Sequence, residues 1–246
     1  MNAIILAAGV ARRLAPLTDR THKCLLPVGD RPLLTRMLAA LEWVGITETV
    51  LVVGHCADQV RAVAGEKRGS MRVRFVENPE YTRGSAISLY AARAFLTEPA
   101  IVLDADVLFP REFLRRLARS PAPSAFLIDR GFQDTGEEVK FYTRGDRVIG
   151  LGKKFIPDAW EHVGEGVGFF KCGAEAAPEL VRQLEHVIRE GDGLNEYEDA
   201  LHLLVALRHV GWIDVTGLPW TEIDFVEDLR RARDEVLPHV VELDGV

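Results

Sequence analysis

The chain has 246 residues, of which 48% are hydrophobic, and it carries a formal net charge of −7 at pH 7. This length and composition can bury a sizeable core, and we expect one domain spanning 1–246. The acidic balance argues against a general nucleic-acid-binding surface, although a local basic pocket is compatible with it. The sequence has neither an apolar run of about 18 residues nor a basic region before a signal-type stretch, so we expect a cytoplasmic protein without a membrane partner.

Three cysteines, Cys24, Cys56 and Cys172, are widely spaced and lack the spacing of metal ligands. Such a pattern is typical of reduced, buried thiols in a cytoplasmic protein. A homodimer is compatible with the sequence.

Strand and helix patterns alternate through the first half of the chain. Strands are predicted at 3–7, 49–53, 72–76 and 100–103, and helices at 32–44, 57–64 and 85–96. This alternation is typical of a Rossmann-like, doubly wound α/β fold with a mainly parallel sheet.

From residue 124 the predicted strands become short and closely spaced. They lie at 124–128, 138–142, 148–150, 166–172 and 212–215, with helices at 178–190 and 196–210 and from 225 onward. Closely spaced strands favour antiparallel pairing, so we expect a mixed sheet with a small antiparallel lid.

The most informative segment is the apolar run at 3–8, which breaks at Gly9 and is followed by Arg13 and Lys23. A β-branched run that ends in glycine predicts a buried strand passing into a loop whose backbone approaches a ligand closely. Backbone N–H groups in such a turn bind anions, and the two cationic side chains add the charge that a triphosphate requires.

Acidic residues follow another predicted strand, where Asp104 and Asp106 are separated by one residue. Residues two apart in an extended segment point to the same face, so both carboxylates can address one site. Such oxygen ligands suit Mg²⁺ bridging phosphates. An alternative is that one of the two, Asp104 above all, caps the next helix or forms an Asx turn.

A third aspartate, Asp224, precedes the last predicted helix and is followed three residues later by Glu227. This spacing also makes a capping box, so a metal ligand and a helix cap are competing interpretations of Asp224.

These motifs resemble those of the nucleotidyltransferases that activate phosphorylated sugars and alcohols. The matching segments are Leu6-Ala7-Ala8-Gly9, Arg13-Leu14, Pro16-Leu17-Thr18, Lys23 and Leu26-Pro27-Val28. Two positions depart from the family pattern: Ala11 replaces a second glycine, and His22 replaces the proline before the lysine.

The resemblance implies a role for each matching residue. Leu6, Ala7, Ala8, Gly9 and Asp104 would bind the nucleotide, Arg13 and Lys23 would stabilise charge on the reacting phosphates, and Asp106 and Asp224 would bind Mg²⁺. Such a transfer depends on positioning and charge neutralisation and needs no protein nucleophile.

The segment 77–89 looks most like that of small bacterial cytidylyltransferases acting on phosphocholine or related phospho-alcohols and phosphonates. The positions that would line the base and ribose pocket are Asn78, Gly84, Ser85 and Ser88, and the expected nucleotide is CTP. The simpler interpretation of these residues is a loop followed by a capped helix.

Residues for the acceptor are expected in the second half of the chain. By the family pattern Lys153 would contact the acceptor phosphate, with its neighbour Lys154 as the rival. An ammonium cage could be built from Trp160, Tyr197 and Trp220 with Glu165, Glu196 and Glu198. Phosphocholine is the leading acceptor, followed by 2-aminoethylphosphonate and other phospho-alcohols.

We therefore predict a nucleotide-binding half at 1–123 and an acceptor-binding half at 124–246, with the lid on the acceptor side. One alternative is a sugar-1-phosphate nucleotidyltransferase that uses UTP, GTP or dTTP; another is a non-catalytic nucleotide sensor. A dinucleotide-binding dehydrogenase fits less well, because Gly9 is followed by Val10 and Ala11 and no Gly-x-Gly-x-x-Gly motif follows the first strand.

Overall fold

The computed structural model describes residues 1–191 and 194–245 and contains one large sheet with helices on both faces. The strands are β1 (Asn2–Ala7), β2 (Pro27–Val28), β3 (Arg31–Pro32), β4 (Glu48–Val53), β5 (Lys67–Arg68), β6 (Met71–Glu77), β7 (Ala100–Asp104), β8 (Val107–Leu108), β9 (Ala125–Asp129), β10 (Lys140–Arg144), β11 (Arg147–Gly152), β12 (His162–Cys172), β13 (Gly211–Asp214) and β14 (Thr221–Glu222). The helices are α1 (Leu33–Trp43), α2 (Ala57–Ala64), α3 (Ser85–Ala91), α4 (Arg111–Arg119), α5 (Ala177–Glu190), α6 (Tyr197–Leu207), α7 (Val226–Arg231) and α8 (Leu237–Asp244). Within these described ranges, no helix has both the length and the apolar character needed to cross a bilayer.

The central sheet has ten strands in the order β10-β11-β13-β9-β12-β7-β1-β4-β6-β5. Strands β7, β1, β4 and β6 run parallel, whereas β12 is antiparallel to both of its neighbours, β7 and β9. Strand β10 pairs with β12 as well as β11, so the sheet curls at that end. The predicted mixed, doubly wound α/β fold is confirmed, and the strands expected in a lid continue the central sheet.

Strand β1 shows why the sequence is apolar throughout this region. Its residues Ala3 and Ile5 belong to the core on one face of the sheet, which includes buried side chains of α1, α2 and α4. Ile4 packs into the other core, with side chains of α3, α5 and α6. A strand covered on both faces has no polar side, as expected for the centre of an α/β sheet.

Several elements differ from the predicted pattern: the two-residue strands β2, β3, β5, β8 and β14 were not predicted, and α4 and β12 also differ. Helix α4 was not predicted, although Pro110 precedes it and Phe113, Leu114 and Leu117 form a buried stripe. Strand β12 begins at His162, before the predicted start, because its glycines allow close packing. A Cβ on Gly166 would lie 2.1 Å from the Phe141 ring, so glycine here serves packing and does not end the strand.

Candidate functional site

A cleft of about 1500 Å³ lies over the carboxyl ends of β1 and β7. The loop after β1, the end of β9, the middle of β12, the start of α6 and the segment between β14 and α7 also line it. Ligands of open α/β sheets bind at this edge, so the fold brings the predicted motifs together where a substrate would bind.

The loop after β1 forms one wall of the cleft. Leu6, Ala8 and Gly9 line the cleft, whereas the Ala7 side chain is fully buried in the core on the opposite side. Ala11 adopts a left-handed conformation, with φ 52° and ψ 51°, and its carbonyl accepts a hydrogen bond of 2.9 Å from the Thr18 hydroxyl. The backbone therefore takes the turn that glycine permits in the family, despite the alanine.

Three carboxylates converge on the floor of the cleft. One oxygen from each of Asp106, Glu222 and Asp224 lies within 4.8 Å of the others. Pairing of β14 with β8 places Glu222 beside Val107, which brings the two segments together. Among the described residues, the buried Asp106 Oδ1 has no hydrogen-bond partner. An oxygen donor set with one buried, unpartnered atom fits the preference of Mg²⁺.

Two cations contact this carboxylate cluster. The Lys23 ammonium forms an ion pair with Asp106 and lies 3.0 Å from Asp224 Oδ1. Burial alone would lower the pKa of Lys23, but the two carboxylates outweigh it and raise the pKa, so the amine stays charged. Arg13 Nη1 lies 3.3 Å from Asp224 Oδ2, and its guanidinium carbon lies 5.3 Å from the centre of the Phe225 ring.

Three carboxyl groups in or around the cluster have raised pKa values. Burial, together with the neighbouring charges of Asp106 and Asp224, raises the pKa of Glu222. The pKa of Glu198 is raised to about 8, mainly by burial, and that of Asp104 is also raised by burial and by Asp106. These shifts are those expected where carboxyl groups outnumber the two cations in contact with the cluster, Lys23 and Arg13, an arrangement that an added cation would stabilise.

The four residues predicted for the base and ribose pocket lie near one another but differ in exposure to the cleft. Ser85 and Ser88 line it. Asn78 is buried behind them, donates a hydrogen bond of 2.9 Å to the Ser88 hydroxyl and accepts one from the Glu80 amide. Gly84 packs against backbone, since a Cβ there would lie 2.0 Å from the Asn195 carbonyl oxygen.

Helices α3 and α6 meet at their first turns beside this pocket. The Ser85 amide donates a hydrogen bond to Glu196, and the Ser85 hydroxyl accepts one from the Tyr197 amide, both at 2.9 Å. Each helix thus supplies a hydrogen-bond acceptor to the first backbone amide of the other, in addition to the capping box of Glu196 and Asp199 within α6. The pair joins a segment of the first half to one of the second half at the edge of the cleft.

Two of the predicted acceptor residues, Glu165 and Trp220, line the cleft. Glu165 lies directly opposite Asp129 on neighbouring strands, and Lys140, its partner on the other side, forms an ion pair with Asp134 instead. Burial raises the pKa of Glu165 to about 7, with the charges of Glu138 and Asp129 adding to the effect. The Trp220 indole lines the cleft and donates a hydrogen bond of 2.8 Å to Asp129.

The other predicted acceptor residues differ in whether they line the cleft and in what they contact. Trp160 packs edge-on against Tyr142, with ring centres 5.3 Å apart, and does not line the cleft. The Tyr197 hydroxyl donates a hydrogen bond of 2.7 Å to Asp104, so both side chains are engaged in the floor of the cleft. Lys153 and Lys154 line the cleft, and Lys153 Nζ lies 3.5 Å from Glu137.

The sequence prediction missed some residues of this site. Glu222 stands two positions before Asp224 in an extended segment, so the same-face argument applied to Asp104 and Asp106 would have found it. Asp129 ends a strand at the ligand-binding edge and could have been found in the same way. Glu137 lies in an irregular segment and has no comparable signal.

Comparisons with known proteins agree with this geometry. Residues 3–144 match the model of the MobA-like NTP transferase domain. The choline-phosphate cytidylyltransferase of Streptococcus pneumoniae is 37% identical over 241 residues, covering 95% of this chain and 97% of that protein. The CMP-5'-(3-aminopropyl)phosphonate synthase of Streptomyces rubellomurinus is 32% identical over 243 residues, covering 94% of this chain and 38% of that protein. This chain therefore spans less than two fifths of the Streptomyces relative.

A solved structure has the same fold. The inositol-1-phosphate CTP transferase of T. maritima superposes with a TM-score of 0.78 at 21% identity, covering 98% of this chain and 96% of that one. The Gly9 loop, the carboxylate cluster and the α/β sheet define a nucleotidyltransferase class of fold and site. The chain belongs to the MobA-like NTP transferase domain family.

Proposed function

We propose that this protein transfers the cytidylyl group of CTP to a small phosphorylated or phosphonate acceptor that carries an ammonium group, and releases pyrophosphate. The observation that carries the proposal is the convergence of Asp106, Glu222 and Asp224 with Lys23 and Arg13 beside the Gly9 loop. The choice of CTP is supported by the likeness to the choline-phosphate cytidylyltransferase of Streptococcus pneumoniae and to the CMP-5'-(3-aminopropyl)phosphonate synthase of Streptomyces rubellomurinus. The neighbourhood of Ser85 and Ser88 is the proposed base and ribose pocket.

The chemistry needs no covalent enzyme intermediate. An oxygen of the acceptor phosphate or phosphonate attacks the α-phosphorus of CTP, the bond between the α-phosphorus and its bridging oxygen to the β-phosphorus breaks, and pyrophosphate leaves with that electron pair. Lys23 and Arg13 stabilise the charge that develops on the phosphoryl oxygens. Mg²⁺, held by Asp106, Glu222 and Asp224, would supply Lewis-acid stabilisation of the same charge when bound.

An ammonium group on the acceptor accounts for the charges around Glu165. Like charges directly opposite each other on neighbouring strands destabilise a sheet, and the pair formed by Glu165 and Asp129 is of this kind. A ligand cation between the two carboxylates would offset their repulsion, and Trp220 offers an aromatic surface beside them. Phosphocholine and 2-aminoethylphosphonate both carry such a cation.

A panel of substrates tests this proposal. Pyrophosphate release is measured with CTP, UTP, GTP and dTTP, each combined with phosphocholine, 2-aminoethylphosphonate, phosphoethanolamine and glucose 1-phosphate. We expect turnover with CTP and ammonium-bearing acceptors in the presence of Mg²⁺. A second candidate is a sugar-1-phosphate nucleotidyltransferase, which the position of Trp160 outside the cleft favours and the position of Trp220 in the cleft lining does not. Preference for UTP, GTP or dTTP with the sugar phosphate would support that candidate. No turnover with any pair would leave the nucleotide-sensor alternative.

A further inference from the structure

A carboxylate lies between two of the cations proposed to bind phosphate. Glu137 belongs to the segment between β9 and β10, and its Oε2 lies 3.5 Å from Arg13 Nη2 and 3.5 Å from Lys153 Nζ. Arg13 belongs to the loop after β1, whereas Lys153 directly follows β11. One oxygen atom of Glu137 therefore links the nucleotide-side wall of the cleft to its acceptor-side wall.

The position of this oxygen relates it to the reaction centre. Arg13 contacts Glu137 through Nη2 and the proposed metal ligand Asp224 through Nη1, at 3.3 Å. An anion in the place of Glu137 would thus be separated from the carboxylate cluster by a single planar guanidinium. Guanidinium groups bind carboxylates and phosphates with the same fork of donors, so a phosphate oxygen can replace a carboxylate oxygen at this point.

The contacts of Glu137 with Arg13 and Lys153 are exposed to solvent, so a ligand can replace them. The side chains are 51% exposed for Arg13, 47% for Lys153 and 63% for Glu137. Exposed ion pairs at such distances contribute little to stability, so solvent and ligands exchange with them readily. A doubly charged phosphate between the same two cations would compete effectively with the singly charged carboxylate.

We infer that Glu137 occupies the position of the acceptor phosphate in the substrate-free protein and that the phosphate displaces it on binding. The inference rests on the proposed function for the identity of the displacing ligand. Two consequences follow for the reaction. Arg13 and Lys153 contact the same attacking phosphate, and Glu137 sets the affinity for the acceptor by competing with it.

The test compares Glu137→Gln with the wild type in two measurements. Binding of inorganic phosphate to the protein, without Mg²⁺ or nucleotide, is measured by titration calorimetry, and KM is measured separately for acceptor and CTP. Removing the competing charge is expected to tighten phosphate binding by about two- to tenfold and to lower the acceptor KM by a similar factor, with a smaller change for CTP. The double variant Glu137→Gln/Lys153→Met should lose this gain.

Glu190→Gln is the matched control, because it removes the same charge from an exposed ion pair with Arg189 on α5. It should leave both quantities unchanged. Unchanged or weaker phosphate binding by Glu137→Gln, or an equal gain in the control, would overturn the inference. Phosphate binding needs no turnover. If no substrate pair reacts but Glu137→Gln still binds phosphate more tightly than the wild type, only the proposed function is contradicted. If the protein is active but Glu137→Gln does not bind phosphate more tightly, only the role of Glu137 is contradicted.

Discussion

At the scale of single residues, the acidic side chains of the cleft differ in what surrounds them. Asp106 and Asp224 contact Lys23, whereas Glu165 faces Asp129 and has its cross-strand lysine engaged elsewhere. The first arrangement keeps a cation at the proposed reaction centre before any ligand binds. The second leaves negative charge for a ligand cation to neutralise.

The raised pKa of Glu165 predicts a pH dependence for acceptor binding. Its pKa of about 7 means that the carboxyl group is mostly neutral below pH 7 and mostly charged above it. Because only the charged form attracts an ammonium group strongly, we expect the KM for phosphocholine to rise as pH falls from 8 to 6. The limiting slope below pH 7 is about tenfold per pH unit. Steady-state kinetics across this range measures the effect.

Two controls separate Glu165 from titration of the substrate. In 3,3-dimethylbutyl phosphate an uncharged tert-butyl group replaces the trimethylammonium group of phosphocholine, and the titrating phosphate is kept. The pH dependence of its KM should therefore reflect only the ionisation of the phosphate. Glu165→Gln should bind phosphocholine weakly and should lose the additional pH dependence. If wild type and Glu165→Gln show the same pH profile with phosphocholine, Glu165 does not bind the ammonium group.

At the scale of elements, the loop after β1 keeps its shape with an alanine at a position where the family pattern has glycine. Ala11 has a left-handed backbone that costs a residue with a Cβ about 1–2 kcal/mol. The hydrogen bond from the Thr18 hydroxyl to the Ala11 carbonyl helps to hold this conformation. The loop is thus maintained by its surroundings, at a cost in stability.

Replacing this alanine should stabilise the protein. Ala11→Gly relieves the left-handed strain but adds freedom to the unfolded chain, so we expect a net gain of about 0.5–1 kcal/mol in the free energy of unfolding. Urea denaturation measures it. The control Ala62→Gly, at an exposed position of α2, should lower the same quantity by about 1 kcal/mol, because that backbone is helical. Destabilisation by both variants would contradict the strain at Ala11.

At the scale of the whole molecule, the sequence predicted the parts of the site that follow from strand order. The Gly9 loop and Asp106 stand at the ends of strands that run parallel, so the rule for α/β sheets places them together. The positions of residues that depend on tertiary packing could not be predicted from strand order. The contact of Trp160 with Tyr142 and the place of Glu137 between two cations depend on how irregular segments fold back, which has no period in the sequence.

The site also joins distant parts of the chain. Hydrogen bonds and ion pairs connect Lys23 to Asp224, Ser85 to Glu196 and Arg13 to Glu137. The proposed nucleotide and acceptor halves therefore share one cleft whose floor is a single carboxylate cluster. This arrangement suits a reaction between two anionic substrates, because the binding free energy of each substrate offsets the free-energy cost of holding them next to each other.

The most direct measurement of the central claim is a ³¹P NMR spectrum of Mg²⁺, CTP and acceptor incubated with the protein. Cytidylyl transfer predicts pyrophosphate and two new coupled phosphorus signals of the cytidylylated product. Asp106→Asn should slow their appearance by at least about 100-fold, because it removes a ligand of the proposed metal centre. Asp146→Asn, the same change at an exposed turn, should leave the rate unaltered. Formation of CMP or CDP alone, or full activity of Asp106→Asn, would contradict the account.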